Sequence, residues 1–92
     1  MIKSFRHGGL REFWERGSSR RVDARLADRL HRRLSALDQA ERPEEMNLPG
    51  FDFHRLRGGR PVRYTVHVNG PWCITFEWSG ADAVRVDLEQ YH

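Results

Sequence analysis

The apolar residues of this chain change their spacing partway along the sequence, and that change restricts the folds it can adopt. Between residues 20 and 40 they recur every three or four positions, the spacing of one helix face, at Val22, Leu26, Leu30, Leu34 and Leu37. From residue 62 the period is two, as in antiparallel strands with one buried face. The positions expected in the core there are Val62, Tyr64, Val66, Val68, Trp72, Ile74, Phe76, Trp78, Val84, Val86 and Leu88. A long helix followed by three antiparallel strands is therefore predicted.

Shorter elements complete the predicted order. They are a first strand over residues 2–6, a short amphipathic helix over residues 10–16 and a short strand over residues 53–57. Ser18 and Ser19 are expected to cap the long helix. The fold class is therefore α+β with the order βααββββ, in which an N-terminal helix hairpin packs on an antiparallel sheet. At this length, residues 1–92 are expected to form a single domain.

Arginine dominates the positive charge of the chain, because Lys3 is the single lysine among sixteen basic residues. Residues 53–76 contain four arginines and no carboxylate. Six more are expected on the solvent-facing side of the long helix, at Arg20, Arg21, Arg25, Arg29, Arg32 and Arg33. Because a guanidinium matches phosphate bidentately, this distribution favours a polyanionic partner such as nucleic acid. An ordinary solvated surface is the alternative interpretation.

Several kinds of site and location are disfavoured by what the sequence lacks. No apolar run approaches the ~20 residues of a spanning helix, and the first residues have no signal-peptide core. We therefore expect no membrane segment and a cytoplasmic location. A single cysteine, Cys73, excludes an intrachain disulfide, which fits a reducing compartment. Neither a metal nor a cofactor is expected, since no cluster has metal-ligand spacing and no glycine loop has the phosphate-binding pattern.

Two histidines are candidates for acid–base chemistry on RNA. His54 lies beside Arg55 and Arg57, and His92 follows Tyr91 as the last residue of the sequence. RNA is cut without metal when its own 2′-hydroxyl attacks the phosphate, which needs a base, an acid and nearby cations. Imidazole can be either acid or base near neutral pH. By sequence alone, however, a terminal Tyr-His pair is more often a frayed tail.

The remaining alternate positions after residue 62 form a second, polar face of the predicted sheet. They are Arg63, Thr65, His67, Cys73, Thr75, Glu77, Arg85, Asp87, Glu89 and, by continuation, Tyr91. An ordinary solvated face is the simplest expectation for them. Cys73 is expected to be an inert, buried or half-buried thiol, since no activating partner can be assigned. His7 and His31 are expected at the surface.

Motifs along nearly the whole chain resemble those of the HigB toxins of the RelE superfamily, the plasmid maintenance system killer group. The matching segments are MIKSFRH at residues 1–7, MNLPG at 46–50, HRLRG at 54–58, VHVNG at 66–70, WCITF at 72–76 and EQYH at 89–92. Their order, spacing and shared endpoint make the resemblance specific. It implies a compact RelE-like α+β domain, in agreement with the order of elements predicted above.

The resemblance also implies an activity, partners and site residues. The activity is that of a ribosome-dependent mRNA endonuclease that inhibits translation, acting on a ribosome with mRNA in its A site. The partner is a cognate HigA-like antitoxin with a helix-turn-helix. The catalytic residues implied are His54, Arg57, Tyr91 and His92. The expected RNA-binding residues are Arg55, Arg60, Arg63 and Gln90, with no metal and no cofactor.

Two positions depart from the family pattern. Gln90 stands where members typically have Asp, so a carboxylate is lost before the Tyr-His pair. Cys73 stands where members typically have Arg, which removes a cation from the polar face, and Arg63 on the adjacent strand is one possible replacement. These departures keep open a non-catalytic or gyrase-directed relative that acts by binding its target. Independently, the six arginines of the long helix keep open a structural or regulatory nucleic-acid-binding module that uses this helix.

Overall fold

The computed structural model describes residues 1–90, and its elements are those of an α+β protein. The helices are α1 (Gly8–Arg16) and α2 (Ala27–Gln39), with 3-10 turns at Ala24–Leu26 and Pro43–Met46. The strands are β1 (His54–Arg55), β2 (Tyr64–Asn69), β3 (Trp72–Ser79) and β4 (Asp82–Gln90). They pair antiparallel in the order β1-β2-β3-β4, so the predicted fold class is confirmed. Neither helix in this part of the chain is long and apolar enough to cross a membrane.

The core lies between α2 and one face of the sheet. Leu30, Leu34 and Leu37 of α2 are fully buried, as the helical spacing predicts. They belong to one cluster with alternate residues of the sheet, namely Val66, Val68, Ile74, Phe76, Val86 and Leu88. Each fully buried side chain of this kind contributes about 1.5–3 kcal/mol relative to the exposed state, so this layer is the main stabilising contact.

A β-bulge in β4 changes which residue enters the core. The register between β3 and β4 shifts between Thr75 and Glu77, and Arg85 on β4 has a φ angle of 51°. As a result Ala83 is fully buried, whereas Val84, which was predicted in the core, is half-buried. The alternation rule fails here because an extra residue on one strand exchanges the faces of all residues on one side of it.

The prediction of a continuous first strand over residues 2–6 is wrong. Residues 2–6 run parallel to β4 but pair with it at two isolated bridges. These are Ile2 with Ala83 and Phe5 with Val86. Between the bridges the Arg85 N–H donates to Ser4 Oγ instead of to a backbone carbonyl. The bulge of β4 therefore interrupts the ladder, and the regular elements follow the order ααββββ.

Helix α2 begins later than predicted, at Ala27. The Arg25 N–H donates to the side chain of Asp23, so Asp23 caps the preceding 3-10 turn. The prediction that Ser18 and Ser19 cap the helix is therefore wrong. An acidic residue at an N-cap satisfies a donor that the first turn leaves unpaired, and Asp23 does so four residues further on than Ser19.

The first turn of α1 packs tightly against the segment that precedes the 3-10 turn. His7 was expected at the surface, but it is half-buried and its Nδ1 accepts the Leu10 N–H at 2.9 Å. A Cβ on Gly9 would lie 2.7 Å from Cβ of Arg21, so a larger residue does not fit without movement. At this contact residues 17–22 lie beside α1 as an irregular segment, ahead of the 3-10 turn that precedes α2.

Candidate functional site

A cleft of about 440 Å³ opens at the edge of the sheet formed by β1. Its floor is formed by Thr65, His67 and Cys73, which lie on the sheet face opposite the core. The full lining is Asp52, His54, Arg55, Leu56, Arg57, Thr65, His67, Gly70, Pro71 and Cys73. The cleft therefore brings together three of the predicted site residues, His54, Arg55 and Arg57, and adds His67 to them.

His54 lies on the two-residue strand β1, directly opposite Thr65 of β2. Its side chain is exposed, and its Nδ1 lies 2.8 Å from the carbonyl oxygen of Asp52. Because a carbonyl can only accept, Nδ1 carries the proton and donates it. The other ring nitrogen, Nε2, is then the one available for proton transfer. The Asp52 carboxylate lies 3.6 Å from Nδ1 and attracts the ring when it is protonated.

His67 lies on the same face, two residues beyond Thr65 on β2, and its backbone is fixed from both sides. Its N–H donates to the carbonyl of Phe51 at 2.7 Å, and its carbonyl accepts from Arg33 Nε at 2.6 Å. Its ring Nε2 lies 3.0 Å from the carbonyl oxygen of Gly70 and donates to it. The backbone and the ring of His67 are therefore both held in place.

Residues 50–52, here called the 50–52 corner, hold both histidines of the cleft. Gly50 and Asp52 have positive φ angles of 82° and 48°, which turn the chain sharply. Aspartate is among the few non-glycine residues that tolerate this region. The successive carbonyls of Phe51 and Asp52 accept from the His67 N–H and from His54 Nδ1. One turn of the backbone thus sets the relative position of the two rings.

Arg33 supports this corner from inside the molecule, which corrects its predicted place on the solvent-facing side of the long helix. Its side chain is 6% exposed and lies over the ring of Phe51, with Cζ 4.5 Å from the ring centroid. Besides His67, its guanidinium donates to the carbonyls of Gly50 and Arg29. Burial, together with the nearby charges of Arg29 and Arg32, lowers the pKa of Arg33. Arginine nevertheless stays protonated in proteins.

The cations of the cleft come from Arg55 and Arg57. Both side chains are exposed, and within residues 1–90 neither forms an ion pair. Their charges are therefore available to an anionic ligand. Arg60 is also exposed but does not line the cleft, since it lies in the turn before the cis Arg60-Pro61 peptide.

Arg63 is occupied by contacts within the protein. It is half-buried, and its Nη2 donates to Glu89 Oε2 and to Thr75 Oγ1, each at 2.7 Å. The Thr75 hydroxyl also donates to the same Glu89 oxygen at 2.5 Å. Thr75 is fully buried, so this part of the polar face is not the solvated surface that alternation suggested.

Cys73 faces His67 across the β2–β3 pair. It is 5% exposed, and its thiol donates weakly to the carbonyl of Glu89 at 3.6 Å. Burial raises the pKa of the Cys73 thiol, so the thiol is neutral at physiological pH. The structure confirms the expected burial.

The last predicted site residues lie at and beyond the end of β4. Gln90 is exposed and pairs with Trp72, and by alternation it shares the face of Leu88 rather than that of the cleft. Tyr91 and His92 lie outside the described residues. Over residues 1–90, no three histidine, cysteine, aspartate or glutamate side chains are grouped as metal ligands.

In the sequence, His67 belongs to the alternate residues of a polar face and to the VHVNG motif, but it was not predicted as a site residue. The alternation of the strands places it on the same sheet face as Thr65 and Cys73, and this pattern was present in the sequence. The hydrogen bonds that His67 donates to the Phe51 carbonyl and accepts from Arg33 are long-range contacts that no local pattern contains.

Comparison with known proteins agrees with the motifs and the fold. Residues 3–92 match the family described as "RelE-like toxin of type II toxin-antitoxin system HigB". Over 92 residues the chain is 38% identical to the protein called Endoribonuclease HigB of Proteus vulgaris, and the alignment covers 100% of both chains. The chain belongs to the HigB-like family of RelE-like toxins of type II toxin–antitoxin systems.

Proposed function

We propose that this toxin is an endoribonuclease that cuts mRNA on the ribosome and so inhibits translation. The observation that carries the proposal is the cleft itself, which brings His54 together with Arg55 and Arg57, two exposed arginines that form no ion pair within residues 1–90. The name of the Proteus vulgaris relative, an endoribonuclease, supports the same reaction class. The reaction needs a proton acceptor, a proton donor and cations at one phosphate, and the cleft provides the first and the last of these.

The proposed reaction is attack by the 2′-oxygen of the RNA on the adjacent phosphorus. A base takes the 2′-hydroxyl proton, the new P–O2′ bond forms, and the P–O5′ bond breaks as an acid protonates the leaving 5′-oxygen. His54 Nε2 and the imidazole of His92 divide these two proton transfers, and Tyr91 orients the phosphate or assists as an acid. Arg57 stabilises the negative charge that develops on the phosphorane.

The last two residues are proposed to complete the site from the end of β4. Gln90 pairs with Trp72, whose neighbour Pro71 lines the cleft.

RNA binding outside the reacting phosphate is assigned to exposed side chains. We assign Arg55, Arg60 and Gln90 to contacts with the RNA backbone or bases. Arg63 was predicted for the same role, but its ion pair with Glu89 favours a structural role in this chain.

A toxin of this family has an antitoxin partner. We propose that the partner is a HigA-like protein with a helix-turn-helix. The proposed target is a ribosome that holds mRNA in its A site, which implies action in the cytoplasm.

The proposal is tested with purified toxin and ribosomes programmed with a defined mRNA. We expect discrete cuts in the mRNA, and we expect His54→Gln and His92→Gln to abolish them. His31→Gln is the matched control, because His31 is an exposed histidine on α2 outside the cleft. Growth arrest with intact mRNA and stalled DNA replication would instead identify a gyrase-directed binder. Unchanged cutting by His54→Gln would contradict the assignment of its role.

A further inference from the structure

We propose that His67, in its protonated form, binds the reacting phosphate at the floor of the cleft and stabilises the charge that develops there. This role rests on the proposed endoribonuclease function and adds a catalytic residue to it.

The floor of the cleft carries no permanent cation within the part of the chain that is described. Thr65 is neutral, and Cys73 is a buried neutral thiol. Arg63 directly precedes β2, but its side chain is bound to Glu89 and Thr75. His67 is therefore the floor residue whose side chain can carry a positive charge toward a phosphate.

The position of His67 relative to His54 suits a shared phosphate. His54 is directly opposite Thr65, and His67 lies two residues beyond Thr65 on the same face. Such diagonal cross-strand neighbours are about 7–8 Å apart, which leaves room for a ligand between the two rings. Arg55 and Arg57 line the same cleft, so two further positive charges lie near an anion bound there.

The orientation of the ring follows from its hydrogen bond. The Gly70 carbonyl accepts from Nε2, so Nε2 carries a proton in either charge state. Nδ1 makes no hydrogen bond within residues 1–90, and on protonation it becomes a second donor. The His67 N–H donates to the Phe51 carbonyl and the His67 carbonyl accepts from Arg33 Nε, so the backbone that carries the ring is fixed before a ligand binds. Donors fixed in advance are the ones that stabilise a transition state most effectively.

The charged and titratable groups around His67 come from three sides. Asp52 and His54 approach from β1 and the 50–52 corner, Cys73 from β3, and Arg33 from α2 behind the backbone carbonyl. A bound phosphate favours the protonated ring, because a nearby anion stabilises the charged form. Binding of the phosphate and protonation of the ring are therefore expected to support each other.

The first experiment compares three proteins on programmed ribosomes under single-turnover conditions. We expect His67→Gln to slow mRNA cleavage by about 10²–10³-fold, the loss typical of one transition-state donor. We expect His67→Arg to retain cleavage within about tenfold of the unmodified protein, because it keeps a cation that can bind phosphate. His31→Gln serves as the control. Cleavage by His67→Gln at the unmodified rate would overturn the proposal, and so would equal losses in the Gln and Arg variants, since a proton-transfer role is not rescued by arginine.

A second measurement uses the unmodified protein and does not depend on cleavage. Adenosine 3′-monophosphate is titrated into the toxin while the imidazole resonances are followed by NMR. We expect the His67 signals to shift toward the protonated form and those of His31 to stay unchanged. An unshifted His67 resonance would overturn the phosphate contact. If no protein cuts mRNA while His67 still shifts, the proposed function fails and the phosphate site at His67 stands.

Discussion

At the scale of single residues, Arg33 connects three parts of the molecule through one side chain. It donates from α2 to the carbonyls of His67 on β2 and of Gly50 in the 50–52 corner, and it lies over Phe51. The sequence does not distinguish it from Arg32 and the other arginines of this helix. Its burial results from tertiary contacts that the helical pattern alone does not contain.

We predict that Arg33→Met lowers the free energy of unfolding by about 2–4 kcal/mol. Methionine keeps most of the apolar contact, but the carbonyls of His67 and Gly50 lose their donor, and an unsatisfied buried acceptor costs about 1–3 kcal/mol. Urea denaturation followed by tryptophan fluorescence measures the change. Arg32→Met, one position earlier and exposed, should change stability by less than about 0.5 kcal/mol. Equal effects of the two variants would contradict the structural role of Arg33.

At the scale of elements, the sequence predicts periodic segments well and their ends poorly. The stripe of α2 and the alternation of β2 and β3 were predictable because each element buries one continuous face. The late start of α2 and the bulge at Arg85 were not, because each depends on a neighbouring segment. In the same way, His54, Arg55 and Arg57 were predictable as a group, while His67 joined them only through the 50–52 corner.

The contact between α1 and the segment before the 3-10 turn gives a prediction that reverses the usual rule for helices. Replacing glycine by alanine inside a helix normally stabilises it by about 1 kcal/mol. At Gly9 the new Cβ would meet Cβ of Arg21 at 2.7 Å and the ring of His7 at 2.9 Å. We therefore expect Gly9→Ala to destabilise the protein by about 1–3 kcal/mol, as overpacking does.

The neighbouring glycine provides the matched control for this prediction. A Cβ on Gly8 would lie 2.8 Å from Nη2 of Arg21, the flexible end of that side chain, which can move away. Gly8→Ala should therefore change the unfolding free energy by less than about 0.5 kcal/mol. Thermal melts of the two variants measure the difference. A Gly9→Ala variant that is as stable as the unmodified protein would show that α1 and this segment do not pack as described.

At the scale of the whole molecule, the positive charge is divided between a buried support and an exposed binding surface. Arg33 and Arg63 are committed to internal contacts, while Arg55 and Arg57 line the cleft without an ion pair in the described part of the chain. Net charge alone gives no view of this division. The division limits the number of arginines that can neutralise phosphates, and so release counterions, when an anion binds.

This division predicts the salt dependence of RNA binding. The probe is a fluorescent RNA oligonucleotide with methylated 2′-hydroxyls, which cannot be cut by internal attack. Each phosphate contact adds roughly 0.7 to the slope of log affinity against log salt for a single strand. We expect Arg57→Gln to reduce the slope by about this amount. Arg42→Gln, an exposed residue outside the cleft, should leave it unchanged, and equal slopes for the two variants would contradict the assignment of Arg57.

The 50–52 corner also has a consequence for genetics. When cells are selected for survival in the presence of an active toxin, the surviving clones carry mutations that destroy its function. Because Arg33 and the corner fix both His54 and His67, such mutations should accumulate in the interior of α2 and at Gly50 as well as in the cleft. Inactivating mutations found both in the sheet and on the buried side of α2 would match the hydrogen bonds that hold the two histidines.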